Sequence, residues 1–94
     1  MAAWLGEQIA ADDRFDLAAS TDMGLVCFRL RSGDAATREL MLRINSSGRF
    51  FMSHTVLAGH FTIRAAIGNI RTQQRDVEEL WRELTESLIG LPGL

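Results

Sequence analysis

Residues 49–67 read RFFMSHTVLAGHFTIRAAI, and this stretch decides the predicted fold. Apolar and polar residues alternate on both sides of Ala58 and Gly59, which is the pattern of two antiparallel strands joined by a tight turn. A hairpin centred there pairs Val56 with Phe61, His54 with Ile63, Met52 with Ala65 and Phe50 with Ile67, and we expect these residues to face the helices. The opposite, more polar face carries Phe51, Ser53, Thr55, Thr62 and Arg64.

The segments before the hairpin predict two more strands and two helices. Residues 25–30 (LVCFRL) alternate as a strand that has one face for the core, and residues 15–19 predict a shorter strand. Helical spacing of apolar residues predicts helices over 2–11 and about 35–45, the second capped by Ser32 or Asp34.

A third helix follows the hairpin, and its apolar stripe includes Val77, Leu80 and Leu84. We expect Thr72 to cap this helix, and we expect two ion pairs on its solvated side, Arg75 with Glu79 and Glu78 with Arg82. The predicted fold class is therefore α+β, a small antiparallel sheet with helices packed on one face.

Length and composition limit the function classes. The 94 residues predict one domain, with residues 90–94 as a flexible tail. A formal charge of −2 argues against a nucleic-acid partner, and no apolar run approaches the roughly 20 residues of a membrane helix. The single cysteine excludes a disulfide framework and fits a reducing, cytoplasmic location.

All ten basic residues are arginine, so the chain contains no lysine. Chemistry that needs a lysine amine, such as Schiff-base formation with a cofactor, is therefore excluded within this chain.

The remaining reactive side chains favour structural roles. Cys27, in the middle of a strand, is typical of a small buried hydrophobic residue. His54 is expected on the core-facing side, partly buried and hydrogen-bonded, and His60 beside the turn, so a zinc site is not predicted. Gly48 to Met52 (GRFFM) is similar to the start of an RNA-recognition motif, but the later aromatic positions are missing. We predict no catalytic, cofactor-binding or metal-binding residue.

Five short motifs occur in an order that resembles a known family. They are residues 14–17 (RFDL), 24–30 (GLVCFRL), 43–48 (RINSSG), 54–57 (HTVL) and 63–68 (IRAAIG). Together they resemble the C-terminal small domain of the pyridoxal-phosphate-dependent group II decarboxylases, especially the aromatic-L-amino-acid decarboxylases, from about Trp4 to Leu88.

The resemblance implies a part of a homodimeric, pyridoxal-phosphate-dependent enzyme that removes the carboxylate of an amino acid as CO2. The cofactor lysine of that family lies in the large domain, so this chain is expected to hold no cofactor and to be inactive alone. Its expected partner is that large domain, through a contact surface formed by Arg64, Arg29, Thr62 and Ser53. We expect Arg64 to form an interdomain ion pair. The alternative is a stand-alone, ferredoxin-like interaction or regulatory module without catalysis.

Overall fold

A computed structural model describes residues 2–20, 24–67 and 73–91 of the chain. The described residues form three helices and four strands, which confirms the predicted α+β class. In chain order the elements are α1 (Ala2–Ala11), β1 (Phe15–Ser20), β2 (Leu25–Leu30), α2 (Asp34–Ser46), β3 (Ser53–Leu57), β4 (His60–Ala66) and α3 (Gln74–Glu86).

The four strands form one antiparallel sheet in the order β1-β2-β4-β3. The predicted hairpin register is confirmed where β3 and β4 pair, with His54 opposite Ile63 and Val56 opposite Phe61. The two further predicted pairs involve residues before the start of β3. Ala58 and Gly59 have φ values of 51° and 79°, as a two-residue type I′ turn requires.

The element order differs from the one proposed for the alternative function. A ferredoxin-like layer is built in the order β-α-β-β-α-β. Here each of two hairpins precedes a helix, and α1 comes before both. The description of a ferredoxin-like module was therefore wrong in its topology.

One face of the sheet and the three helices enclose the core. Phe28 and Ile63 of the sheet, and Leu5, Leu40 and Leu84 of the three helices, are all fully buried. Phe15 packs edge-on against Phe28, with 5.8 Å between ring centroids, and also contacts Trp81 of α3. Burying a large apolar side chain stabilises the fold by about 1.5–3 kcal/mol, so this layer holds the molecule together.

The start of α2 differs from the sequence-based prediction. The residue before the helix is Gly33, without a side-chain cap, so the prediction of Ser32 or Asp34 as the cap was wrong. Gly33 has a φ of 121°, a conformation that favours glycine. The hydroxyl of buried Thr37 secures this end instead, because it accepts from the Leu30 N–H at 3.0 Å and donates to the Gly33 carbonyl at 2.7 Å.

The start of α3 is stabilised by Asp76, whose carboxylate accepts the Gln73 backbone N–H at 2.9 Å. Thr72, the predicted cap, lies outside the described residues. Neither predicted ion pair of α3 forms. Glu79 binds Arg49, from the loop before β3, instead of Arg75, and Arg82 makes no ion pair with Glu78.

The packed part of the chain continues beyond α3. Leu91 is buried in the core, and the Arg43 guanidinium donates to the carbonyls of Ser87 and Ile89 at 3.0 and 2.8 Å. The predicted tail over 90–94 thus includes one core residue, while residues 92–94 lie outside the described ranges. None of the described helices combines the length and apolar content that a bilayer span requires.

Candidate interaction surface

The four predicted contact residues lie on the sheet face that turns away from the helices. The register aligns Cys27, Arg64 and Ser53 across β2, β4 and β3, and it aligns Asp16 with Arg29 across β1 and β2. We call this surface the open face, and it comprises Asp16, Cys27, Arg29, Ser53, Thr55, Thr62 and Arg64. The strand alternation thus brings together the residues that the sequence analysis singled out.

Arg29 is already paired within the chain. Its guanidinium donates to the Asp16 carboxylate on the neighbouring strand at 2.8 Å, with the Arg29 side chain 24% exposed and that of Asp16 43% exposed. The sequence analysis did not name Asp16 as a partner, because pairing between β1 and β2 could not be aligned residue by residue. The Arg29 charge is therefore largely balanced before any partner arrives.

Arg64 is in a different situation. Its side chain is exposed, and it makes no ion pair or hydrogen bond with the described part of the chain. It lies between Cys27 and Ser53, neither of which can balance its charge. A guanidinium presents a planar set of donors that fits a carboxylate with two parallel hydrogen bonds. Arg64 is thus a cation without a charged partner among the described residues, on a strand that lies between β2 and β3.

Two small side chains of the open face, Thr62 and Cys27, are buried beside these arginines. Thr62 exposes only 1% of its surface, and its hydroxyl donates to the His60 carbonyl at 3.1 Å. Cys27 exposes 5%, which confirms the prediction of a small buried residue. Thr62 lies on the open face as predicted but offers a partner almost no surface, whereas Ser53 is exposed.

The histidines do not form a ligand set. His54 is exposed and stacks on Phe61, with 4.5 Å between ring centroids and 13° between planes, so the prediction of a partly buried, hydrogen-bonded His54 was wrong. The reason is that β3 lies at the edge of the sheet. His60 places Nδ1 3.7 Å from Oδ1 of Asp34. Within the described ranges no group of three or more His, Cys, Asp or Glu could hold a metal ion.

A cleft that the sequence analysis missed lies between the loop before β3 and α3. It measures about 570 Å³, and its lining includes Phe50, Met52, Val77, Leu80 and the pair Arg49–Glu79. The Asn45 side chain of α2 secures the loop, because it donates to the Met52 carbonyl at 2.9 Å and accepts the Met52 N–H at 2.8 Å. The sequence signal that could have indicated this loop was Asn45 directly before the turn Ser46-Ser47-Gly48, since an asparagine side chain can bond to nearby backbone groups.

The donor set of the chain does not fit pyridoxal phosphate. Covalent attachment of that cofactor requires a lysine amine, and the sequence has none. The open face offers arginine, threonine and serine, which can bind a carboxylate or a protein surface but cannot form the Schiff base.

Comparison with known proteins identifies relatives of this fold and sequence. No family model matches the chain. It is 40% identical over 94 residues to a 4-hydroxyphenylacetaldehyde synthase of Rhodiola rosea, and 35% identical over 92 residues to tryptophan decarboxylase 1 of Oryza sativa. These alignments cover 93% and 86% of this chain but only 19% and 18% of the relatives.

The solved structures agree with the sequence relatives. The crystal structure of Oryza sativa TDC with PLP and tryptamine superposes with a TM-score of 0.86 at 32% identity, over 93% of this chain and 21% of that one. The Rhodiola rosea synthase gives a TM-score of 0.83 at 41% identity over 92% of this chain. The chain is therefore a homologue of the pyridoxal-phosphate-dependent aromatic amino acid decarboxylases, and it spans about one fifth of the length of these relatives.

Proposed function

We propose that this chain serves as the C-terminal small domain of an aromatic-L-amino-acid decarboxylase and packs on the large domain through its open face. The observation that carries the proposal is the unpaired, exposed Arg64 on a sheet face that no described helix covers. The coverage of about one fifth of each relative supports it, since most of the homologous enzyme lies outside this chain. On the isolated domain this cation has no charged partner, whereas docking gives it a carboxylate to pair with.

In this proposal the decarboxylation of the amino acid belongs to the whole enzyme, and this chain is inactive alone. The large domain supplies the cofactor lysine, because none exists here. The small domain contributes a rigid wall that packs against the large domain and excludes water from the cleft between them. We place the whole enzyme in the cytoplasm as a homodimer, because this chain resembles the family and because its own single cysteine, Cys27, is free.

Within this assembly Arg64 forms an ion pair with a carboxylate of the large domain. The Arg29–Asp16 pair beside it leaves Arg64 as the cation that is available to a partner. A fully desolvated arginine is costly unless it is paired, so the pair would fix the orientation of the two domains as well as hold them together.

A domain exchange tests the proposal. This chain replaces the matching segment of Oryza sativa tryptophan decarboxylase, and decarboxylation, melting temperature and retained pyridoxal phosphate are measured. We expect an active chimera in which Arg64→Leu lowers the melting temperature and cofactor retention. Arg82→Leu is the matched control, because Arg82 is also exposed and unpaired among the described residues but lies on α3.

Two results would count against the proposal. The first is a chimera that folds and binds cofactor but never decarboxylates. The second is equal behaviour of the Arg64→Leu and Arg82→Leu chimeras. A second experiment addresses the chain alone: incubated with pyridoxal phosphate and aromatic amino acids, it should show no aldimine absorbance and release no CO2. Activity of the isolated chain would contradict the assignment of the chemistry to the large domain.

A further inference from the structure

The two outer strands of the sheet differ in how their free edges are protected. β1 carries Asp16, paired with Arg29, and its register shifts between Leu17 and Ala19. Bulges and charged side chains are devices by which natural proteins stop further strands from adding to an edge. β3 has neither, since Ser53–Leu57 reads SHTVL and pairs with β4 in an unbroken register. No strand of the described chain covers its outer side.

The turn geometry determines which backbone groups of β3 remain free. Leu57 and His60 flank the two-residue turn, so they form a hydrogen-bonded pair. Hydrogen-bonded and non-hydrogen-bonded pairs alternate along an antiparallel ladder, so Thr55 also bonds to β4. The N–H and C=O groups of His54 and Val56 therefore point outward from the sheet.

We propose that β3 pairs antiparallel with β3 of a second copy of this chain, about a two-fold axis at Thr55. In this register His54 of each copy lies opposite Val56 of the other. Each such pair exchanges backbone N–H···O bonds, which satisfies every outward group of the two residues. The two four-stranded sheets become one continuous sheet across the axis. Two copies of β3 can pair with each other because the outward N–H and C=O groups, those of His54 and Val56, lie symmetrically on either side of Thr55.

The side chains fit the same register. Val56 is 65% exposed in the single chain, so most of its apolar side chain faces water. Pairing places it beside the imidazole of His54 of the second copy, which already stacks on Phe61. Aromatic and β-branched side chains on neighbouring strands interact favourably.

This inference does not depend on the proposed function. It concerns the edge of the sheet, whereas docking on a large domain uses the open face. The two surfaces share Ser53 and Thr55, whose side chains point to the open face while the proposed pairing uses the outward backbone groups of His54 and Val56. Failure of one proposal therefore leaves the other standing.

Sedimentation and amide exchange of the 94-residue chain test the proposal. With a reductant present, the mass is measured from about 1 µM to 1 mM, a range that covers weak and moderate complexes. We expect it to rise from 10.5 kDa towards twice that value. The His54 and Val56 amides should exchange at least about tenfold more slowly in the concentrated sample. The Thr55 amide, bonded to β4, should be slow at both concentrations.

Two variants of Val56 separate pairing from folding. Val56→Pro removes an outward N–H without removing a bond to β4, and Val56→Lys places a charge on the edge. We expect each to raise the dissociation constant of the dimer at least about tenfold, with the circular dichroism of the fold retained. Ala18→Lys is the matched control, because it adds the same charge to the exposed β1 edge and should leave the dimer unchanged.

Three results would overturn the proposal. One is a chain that stays monomeric up to 1 mM. Another is a dimer that survives both Val56 variants but is lost in Arg64→Glu, which would assign association to the open face. The last is a monomeric chain whose His54 and Val56 amides become protected only within the decarboxylase chimera, since this would assign the edge to the rest of the enzyme.

Discussion

The covered face and the open face of the sheet are made by the same strands, yet they treat their side chains in opposite ways. On the covered face, Phe28 and Ile63 are fully buried under the helices. On the open face, Arg29 is balanced by Asp16, and Arg64 is exposed and unpaired among the described residues. The covered face accounts for why the chain folds. The open face buries no comparable apolar layer, and Arg64 is the one of its two arginines that has no charged partner among the described residues.

The largest expected effect belongs to the covered face. Phe28→Ala removes a fully buried ring that packs against Phe15, and we expect it to lower the free energy of unfolding by about 3–5 kcal/mol. Phe51→Ala is the control, because Phe51 is 83% exposed and its loss should cost less than about 0.5 kcal/mol. Denaturant unfolding measures both. A similar loss of unfolding free energy in the two variants would contradict the expectation that the buried ring stabilises the fold more than the exposed one.

A smaller effect is expected where the covered face meets α2. Thr37→Val keeps the side-chain shape but leaves the buried Leu30 N–H without its acceptor. An unsatisfied buried donor costs about 1–3 kcal/mol, so unfolding should be easier by that amount. Amide exchange at Leu30 offers a local reading, and we expect it to become faster. A neutral Thr37→Val would mean that the hydroxyl does not hold the start of α2.

The open face should contribute much less to the stability of the isolated chain. The Arg29–Asp16 pair is partly exposed, and such pairs contribute about 0–1 kcal/mol. A double-mutant cycle with Arg29→Leu and Asp16→Asn measures their coupling. A coupling above about 3 kcal/mol, the range of buried pairs, would show that the open face is part of the fold and would remove the contrast between the faces.

The smallest effect is expected for the ion pair between Arg14 and Asp12, which are only two residues apart on the surface. The Arg14 guanidinium donates to both oxygens of Asp12 at 2.9 and 2.7 Å, and these hydrogen bonds lower the pKa of that carboxyl below 3.8. A lowered pKa stabilises the fold above the ordinary carboxyl value, and the stabilisation is lost as the pH falls through the lowered one.

The matching experiment compares the unfolding free energies of Asp12→Asn and the unsubstituted chain between pH 2 and 7. We expect a difference of at most about 1 kcal/mol that is constant near neutral pH and shrinks below about pH 4. A difference that grows as the pH falls would contradict the sign of the pKa shift.

The sequence was sufficient to predict the parts of the fold that depend on alternation. The hairpin register followed from the pattern around Ala58 and Gly59, since a shift by one residue would expose its apolar side. The presence of Ser53, Thr62 and Arg64 on one face followed from the same alternation. The homology found by comparison agrees with the five motifs that resembled the decarboxylases.

The parts that were missed depend on tertiary contacts. In the alternation of β3, His54 falls on the same side of the sheet as the core residues, but β3 is the edge strand and His54 is exposed there. The alternation of residues along a strand does not show whether that strand lies at the edge or the centre of a sheet. Arg49 takes Glu79 away from the predicted helical pair, because a loop distant in sequence passes beside α3. Thr37 replaced the expected cap for a similar reason, as its hydroxyl reaches the end of a strand.

Asn45 has a consequence beyond the loop that it holds. Its amide bonds Met52 as a neighbouring strand would, immediately before β3 begins, so it reinforces the parity with which the chain enters the hairpin. A slip by one residue would break both bonds and turn Ser53 towards the helices and His54 towards the open face. A helix side chain thus supports, at the entrance of β3, the register that the apolar pattern and the turn specify, and with it the set of residues that a docking partner meets.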